Sequence, residues 1–298
     1  MYNSRRLKMK RKVVASILTM AMIMSLSGCG SESTQSNSAA GEVAATQEVA
    51  SEAATIESAV EVKVNSEDDF RVDDEDGKIV IIGYEGESMD VVIPSTIDGK
   101  EVVAIGRCAF VNDDITSVVC PDTLKEIREE AFENCDCLTD IQFNDGLESV
   151  GRLAFNCASL EKVILPDSVT FVDEIAFLCP GTIMEIKLSN SMTEIPSGCF
   201  GCAGVSSITV PAYIKSVGKQ AFYGCKNLET LVFEEGVEVL GEDVFEDCDA
   251  LTSVVIPASV TEIQEISSYD CENIVFTVPA GSYAEQYMQE NELNYVTQ

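Results

Sequence analysis

Apolar residues recur along this chain of 298 residues with a period of 22 or 23 positions. The most regular of them are seven phenylalanines, Phe110, Phe132, Phe155, Phe177, Phe200, Phe222 and Phe245. A fixed period in the twenties is typical of a solenoid, in which each repeat is one coil and stacked coils share a continuous core. We therefore predict that the phenylalanines form a buried structural ladder through the stack.

Each repeat also contains two aliphatic pairs. In one repeat these are Val163 with Leu165, and Val169 with Val172. The first pair has the period-two alternation of a β-strand. A proline follows several of these stretches and would end the strand ladder, because proline has no N–H to donate. The sequence thus predicts a mainly β repeat solenoid in which the second pair turns the chain back toward the core.

A column of cysteines follows the phenylalanines by two or three positions. It contains Cys135, Cys157, Cys179, Cys202, Cys225 and Cys248. Stacked strands lie about 4.7–4.9 Å apart, which exceeds the usual disulfide Cβ separation of about 3.5–4.5 Å. We therefore predict a reduced, buried ladder. Because the chain has no histidine and one isolated C-x-x-C, we predict no metal site and no cofactor.

The repeat resembles the BspA-type leucine-rich repeat. The resemblance is clearest from Leu160 to Pro166, continuing through Val169, Val172 and Ala176-Phe177. It implies a right-handed leucine-rich-repeat solenoid over residues 109–273, with an N-terminal β-hairpin cap and first strand over 66–108 and a C-terminal cap with a short helix over 274–298. It also implies a surface protein that takes part in adhesion.

Local signals in the two flanks agree with such caps. Asp76-Gly77 and Asp98-Gly99 are dipeptides that favour tight hairpin turns. Ser282 with Glu285 predicts a capping box at the start of the C-terminal helix. The repeat pattern itself weakens towards the C-terminus, where Ser268 occupies the eighth phenylalanine position.

The N-terminus predicts export. A basic segment precedes an apolar stretch from Val13 to Ser27, which is too short to span a membrane and suits a signal peptide. The stretch ends in Leu26-Ser27-Gly28-Cys29, which is similar to a bacterial lipobox and implies a lipoprotein signal peptide over 1–28 and lipidation of Cys29. An ordinary signal peptide is the alternative. Residues 29–65 then form a lipidated cysteine and a disordered tether, unless residues 54–64 form an amphipathic helix.

The net charge of −32 excludes binding to nucleic acid, and any membrane contact would be through the lipid anchor only. The outward strand positions are instead nearly neutral and rich in hydroxyls, which suits an extended protein segment or a glycan. The candidate ligand-binding residues on this face are Glu161, Lys162, Ile164, Glu185, Lys187, Thr209, Glu229, Val232 and Val255. The alternative is an unselected strand surface, because threonine and valine favour strands anyway.

These observations favour binding over catalysis. Without histidine, no Ser-His-Asp or Cys-His mechanism is possible, and no phosphate-binding glycine loop is present. We expect a monomeric, non-enzymatic protein, lipid-anchored on the extracellular face of a bacterial membrane, that binds extracellular proteins or other cell surfaces. A glycan-capturing lipoprotein and a structural envelope component are the alternatives. The hypothesis of glycan capture predicts aromatic side chains on which sugar rings stack, and the outward strand positions contain none.

Overall fold

The computed structural model describes residues 63–267 and 273–298. The predicted signal peptide, Cys29 and all but the last residues of the predicted tether lie outside these ranges. Within them, no helix combines the length and apolar character needed to cross a membrane.

Short strands dominate the described part of the chain. In chain order they are β1 (Phe70–Glu75), β2 (Lys78–Tyr84), β3 (Asp90–Val92), β4 (Thr96–Ile97), β5 (Lys100–Ile105), β6 (Ser117–Val119), β7 (Glu126–Ile127), β8 (Asp140–Gln142), β9 (Ser149–Val150), β10 (Lys162–Ile164), β11 (Phe171–Val172), β12 (Glu185–Lys187), β13 (Glu194–Ile195), β14 (Ser207–Val210), β15 (Ser216–Val217), β16 (Thr230–Phe233), β17 (Val239–Glu242), β18 (Ser253–Val255), β19 (Glu262–Glu265), β20 (Val275–Val278) and β21 (Tyr295–Thr297). A 3-10 turn (Glu67–Asp69) precedes β1, and one helix, α1 (Tyr283–Glu290), separates β20 from β21.

Two columns of parallel strands run through the stack, because each coil contributes one strand to each column. The first column consists of the ladders β3-β6-β8, β10-β12 and β14-β16-β18-β20-β21. The second consists of β2-β5-β7-β9-β11 and β13-β15-β17-β19. The inward side chains are in register between coils, as Val163 is with Ile186. The predicted mainly β solenoid is confirmed.

The phenylalanine ladder lies in the core, where its seven members are 0–3% exposed. Successive rings from Phe110 to Phe177 stack almost parallel, with centroids 4.9 to 5.2 Å apart. The separation grows to 5.7 Å between Phe177 and Phe200 and to 6.3 Å between Phe200 and Phe222. The coils are therefore more widely spaced around Phe200 than in the first half of the stack.

The strand ladder extends into both segments that the sequence predicts as caps. The strand β3 pairs in parallel with β6, and Tyr84 stacks on Phe110 at 5.7 Å, in line with the phenylalanine rings. At the other end, β21 pairs in parallel with β20 beyond the helix. These outer coils have no phenylalanine at the expected spacing, so the repeat pattern did not identify them.

The N-terminal hairpin has the predicted turns. Residues Asp76 and Gly77 both have positive φ, 56° and 81°, and join the antiparallel strands β1 and β2. The pair Asp98 and Gly99 does the same between β4 and β5, with φ of 51° and 70°. Both Asp-Gly predictions are confirmed, because this turn requires left-handed backbone at two successive positions.

The C-terminal helix α1 is capped partly as predicted. The Ser282 hydroxyl accepts a hydrogen bond from the Glu285 N–H at 3.1 Å. The Glu285 carboxylate, however, accepts from the N–H of Gly281 at 2.6 Å rather than from that of Ser282. The helix buries Ala284 and Met288 and so covers the end of the core.

Both strand columns are interrupted at the coil that contains β12 and β13. In the second column, the N–H groups of Asp173 and Gly218 each donate to the preceding coil, at 2.9 and 2.8 Å. Pro196 occupies the equivalent position between them and has no N–H. Strands β11 and β13 consequently remain unpaired with each other, and in the first column β12 and β14 do not pair either.

Candidate binding face

The outward side chains of the first strand column form a continuous surface, which we call the strand face. Its central row follows the middle of each coil and contains Val92, Val119, Gln142, Ile164, Lys187, Thr209, Val232, Val255 and Thr277. Within each ladder these residues are direct neighbours, about 4.7–4.9 Å apart along the stack. The row is therefore a mainly apolar strip on a strongly acidic protein, with Lys187 as its one charged member.

A second, more polar row lies beside the central row, two positions earlier in each strand. It contains Asp90, Ser117, Asp140, Lys162, Glu185, Ser207, Thr230, Ser253 and Val275. Several of its charged side chains have hydrogen-bond or ion-pair partners within the protein. The Lys162 Nζ lies 3.1 Å from the Asp140 carboxylate. Hydrogen bonds from the Ser117 and Thr116 hydroxyls lower the pKa of the Asp90 carboxyl.

The structure brings most of the sequence-predicted binding residues onto this face. Ile164, Lys187, Thr209, Val232 and Val255 lie in the central row, and Lys162 and Glu185 lie in the polar row. The remaining two, Glu161 and Glu229, immediately precede β10 and β16 at the exposed edge of the face.

Sequence reasoning missed Val92 and Thr277, which extend the central row by one coil at each end. Their coils lack the phenylalanine that marks the repeat. The alternation of Val91 and Ile93, both of which are buried, could have predicted the strand β3 from the sequence.

Lys187 differs from nearly every other cation in the described chain. Residues 63–267 and 273–298 contain thirteen lysines and arginines, and eleven of them lie within 4.0 Å of a carboxylate. The two without such a partner are Lys63, at the start of the described chain, and Lys187. An unpaired ammonium in the middle of an apolar row is available to an anionic group of a ligand.

The ten cysteines within the described ranges are free. Four of the predicted ladder, Cys135, Cys179, Cys225 and Cys248, are buried, and each thiol donates to the backbone carbonyl of a phenylalanine of the preceding coil, at 2.9 to 3.4 Å.

Cys157 and Cys202 were wrongly placed in the cysteine ladder. Both have left-handed backbone, with φ of 62° and 60°, and both are only half-buried. The next residues, Ala158 and Ala203, point into the core instead. The left-handed turn rotates the side chain away from the column, whereas Cys179, which also follows its phenylalanine by two positions, does not have positive φ and stays buried.

Among the residues that the structure describes, no group of three or more cysteine, aspartate or glutamate side chains is arranged to hold a metal ion.

Stacked coils, a phenylalanine ladder and an open strand face define a repeat solenoid with an extended surface. The chain belongs to the BspA-type leucine rich repeat family, whose model matches six copies over residues 103–212 and 181–275, more than half of the chain.

Solved structures of leucine-rich-repeat proteins are similar to this chain. The leucine-rich-repeat protein TpLRR of T. pallidum is 31% identical, with a TM-score of 0.58, and the match covers 63% of this chain and 91% of that one. A leucine-rich-repeat protein from Bacteroides ovatus is 23% identical, with a TM-score of 0.48 and 70% of each chain covered. No curated protein matches the chain.

Proposed function

We propose that this protein is lipid-anchored at a bacterial cell surface and mediates protein–protein binding or adhesion through the strand face. The observation that carries the proposal is the central row, in which eight of nine neighbouring side chains are uncharged on a chain of net charge −32. Charged residues are depleted from the centres of protein interfaces, so such a strip suits an extended protein partner.

Repeat proteins use surfaces of this kind because each added coil lengthens the contact without changing the fold. The polar row supplies hydroxyls that can hydrogen-bond a peptide backbone. The proposed role is therefore non-enzymatic, and the expected partners are extracellular proteins or proteins on other cells.

The binding proposal is tested with cells that display the full chain, applied to immobilised matrix proteins and to extracts of bacterial surface proteins. Ile164→Glu, Val232→Glu and Val255→Glu together add three charges to the central row and should abolish specific capture. The matched control, Phe171→Glu, Ser216→Glu and Val239→Glu, adds the same charge to the second strand column and should leave capture intact. Equal capture by both variants would exclude the strand face as the binding surface.

The anchor is tested separately at Cys29. If the lipobox-like segment directs acylation, Cys29→Ser should abolish incorporation of labelled fatty acid and move the chain from the membrane fraction to the medium. Retention of label by the variant would contradict the proposed anchor without bearing on the strand face.

A further inference from the structure

A crevice opens on the strand face where β12 and β14 do not pair. Its volume is about 400 Å³, within the range of roughly 300–1,000 Å³ typical of small-molecule sites. Its walls include Ile186 and Ile208, and Phe200 and Phe222 of the phenylalanine ladder also line it. It is thus an open crevice with an apolar floor and several polar residues in its lining.

The unpaired strands explain why two inward-facing isoleucines are partly exposed here. Ile186 and Ile208 are only partly buried, whereas the equivalent residues Val163 and Leu231 of the neighbouring coils are fully buried. The Leu165 N–H donates to the Lys187 carbonyl at 3.0 Å. The corresponding N–H one coil later, that of Leu188, has no acceptor among the described residues.

The same two coils approach closely elsewhere along the turn that precedes these strands. A Cβ at Gly204 would lie 2.5 Å from the Gly181 carbonyl oxygen, so only glycine allows this contact. Close contact at the glycines and separation at the strands make the space between the coils wedge-shaped. At the other interruption of the first column, between β8 and β10, the Phe143 ring packs edge-on against Phe155 at 6.0 Å. In the β12/β14 crevice, Tyr213 is among the lining residues, and its hydroxyl donates to the Leu188 carbonyl at 3.4 Å.

The mouth of the crevice combines an apolar rim with unused donors. Met184 is 62% exposed at the rim. Lys187 has no ion-pair partner in the described chain, and the hydroxyls of Ser207 and Thr209 form no hydrogen bond within it. Glu185 also lines the crevice but is not paired with Lys187.

We propose that this crevice binds a small amphipathic carboxylate such as a medium-chain fatty acid. The apolar chain would lie between Ile186 and Ile208, and the carboxylate would accept hydrogen bonds from the Lys187 ammonium and the nearby hydroxyls. A carboxylate fits because it pairs a cation that the protein leaves unpaired, and charge-assisted hydrogen bonds of this kind are the strong ones. This site shares Lys187 and Thr209 with the central row, but it does not require a protein partner to be bound there.

The chain contains no tryptophan, so a single introduced indole reports on the crevice alone. We would place it at Met184→Trp in the full chain and titrate with decanoate. The expected result is a saturable change in indole fluorescence. Met89→Trp, at a residue with similar exposure in the first coil, is the matched control and should not respond.

Charge variants in the Met184→Trp background then test the recognition. Lys187→Gln should weaken decanoate binding by about tenfold, the loss expected for a charge-assisted hydrogen bond, and leave binding of uncharged decanol unchanged. Glu185→Gln should strengthen decanoate binding, because it removes a like charge. Lys78→Gln, in the N-terminal hairpin, should have no effect. An unaltered decanoate affinity in Lys187→Gln, or an equal response from Met89→Trp, would overturn the proposal.

Discussion

At the scale of single residues, the cysteine column combines packing with hydrogen bonding. A buried thiol fills the space of a small apolar side chain and also donates weakly to a carbonyl. In Cys179 the donor reaches the Phe155 carbonyl at 3.3 Å, and burial raises the pKa of this thiol to about 12. Cys179 therefore supports the phenylalanine ladder as a neutral thiol.

We expect native-state alkylation to separate the cysteines by exposure. Since the thiolate is the reactive form, iodoacetamide near pH 8 should label the exposed Cys108 and Cys137 and leave Cys120, Cys135 and Cys179 unmodified. Burial raises the pKa of each of these three buried thiols to about 12. Mass spectrometry of the labelled peptides measures this, with a urea-denatured sample as the control in which all react. Early native labelling of Cys179 would contradict the buried ladder.

Truncation of one ring should show how much the phenylalanine ladder contributes. Phe177→Ala removes a fully buried ring between two stacked neighbours and should lower the free energy of unfolding by about 3–5 kcal/mol. Phe171→Ala is the matched control, because Phe171 is 50% exposed and its loss should cost within about 0.5 kcal/mol. Urea titration measures both, and similar midpoints for the two variants would show that the ladder is not the main source of stability.

At the scale of the coil, the coil that contains β12 and β13 departs from the regular stack in both strand columns. The coil of β12 and β13 pairs with β10 on one side and with β15 on the other, but with no strand across the two remaining edges. Repeat proteins owe their stability to interfaces between neighbouring coils. Because ladder bonds are missing on both sides, this coil should be held less tightly than coils whose strands pair in both columns.

Hydrogen exchange of two equivalent amides tests this expectation. The Leu165 N–H is bonded to Lys187 O, whereas the buried Leu188 amide has no acceptor in the described chain. We expect Leu188 to exchange much faster than Leu165, because its exchange requires only a local opening. Residue-resolved exchange by NMR gives both rates in one sample. Equal protection of the two amides would mean that the interface between β12 and β14 closes in solution.

At the scale of the whole molecule, acidic charge is the dominant electrostatic feature. The chain has 51 acidic and 19 basic residues. Because most described cations are already paired, the excess carboxylates repel one another across the folded surface. Self-repulsion of this kind destabilises a compact state.

Salt should therefore stabilise this protein. Raising sodium chloride from about 10 to about 150 mM shortens the Debye length from roughly 30 to 8 Å and should increase the urea concentration at the unfolding midpoint. An uncharged solute such as sucrose at equal osmolality would stabilise through exclusion instead, so the two titrations are compared. A midpoint that falls with salt would show that the exposed ion pairs outweigh the repulsion.

The order of the residues was enough to predict the coil length, the phenylalanine ladder and the hairpin turns at Asp76-Gly77 and Asp98-Gly99. These follow from periodicity and local backbone preference, which are written in consecutive residues. It also indicated most of the strand face, because side chains alternate along a strand. The outer coils were missed, since Tyr84 takes the place of a phenylalanine there.

The fit of the coils against one another was visible in the folded structure alone. The sequence showed that Pro196 departs from the repeat. Its missing N–H has a consequence only because β11 lies next to β13 in the stack, where the equivalent N–H of other coils donates a hydrogen bond. The crevice at Ile186 and Ile208 depends likewise on the contact between Gly181 and Gly204. Lys187 is recognised as unpaired only once the positions of the carboxylates are known, since eleven other cations lie within 4.0 Å of one. The spacing between stacked coils is set by contacts between residues about 22 positions apart. A repeat pattern predicts that such contacts exist, but it does not give the distances between the residues that make them.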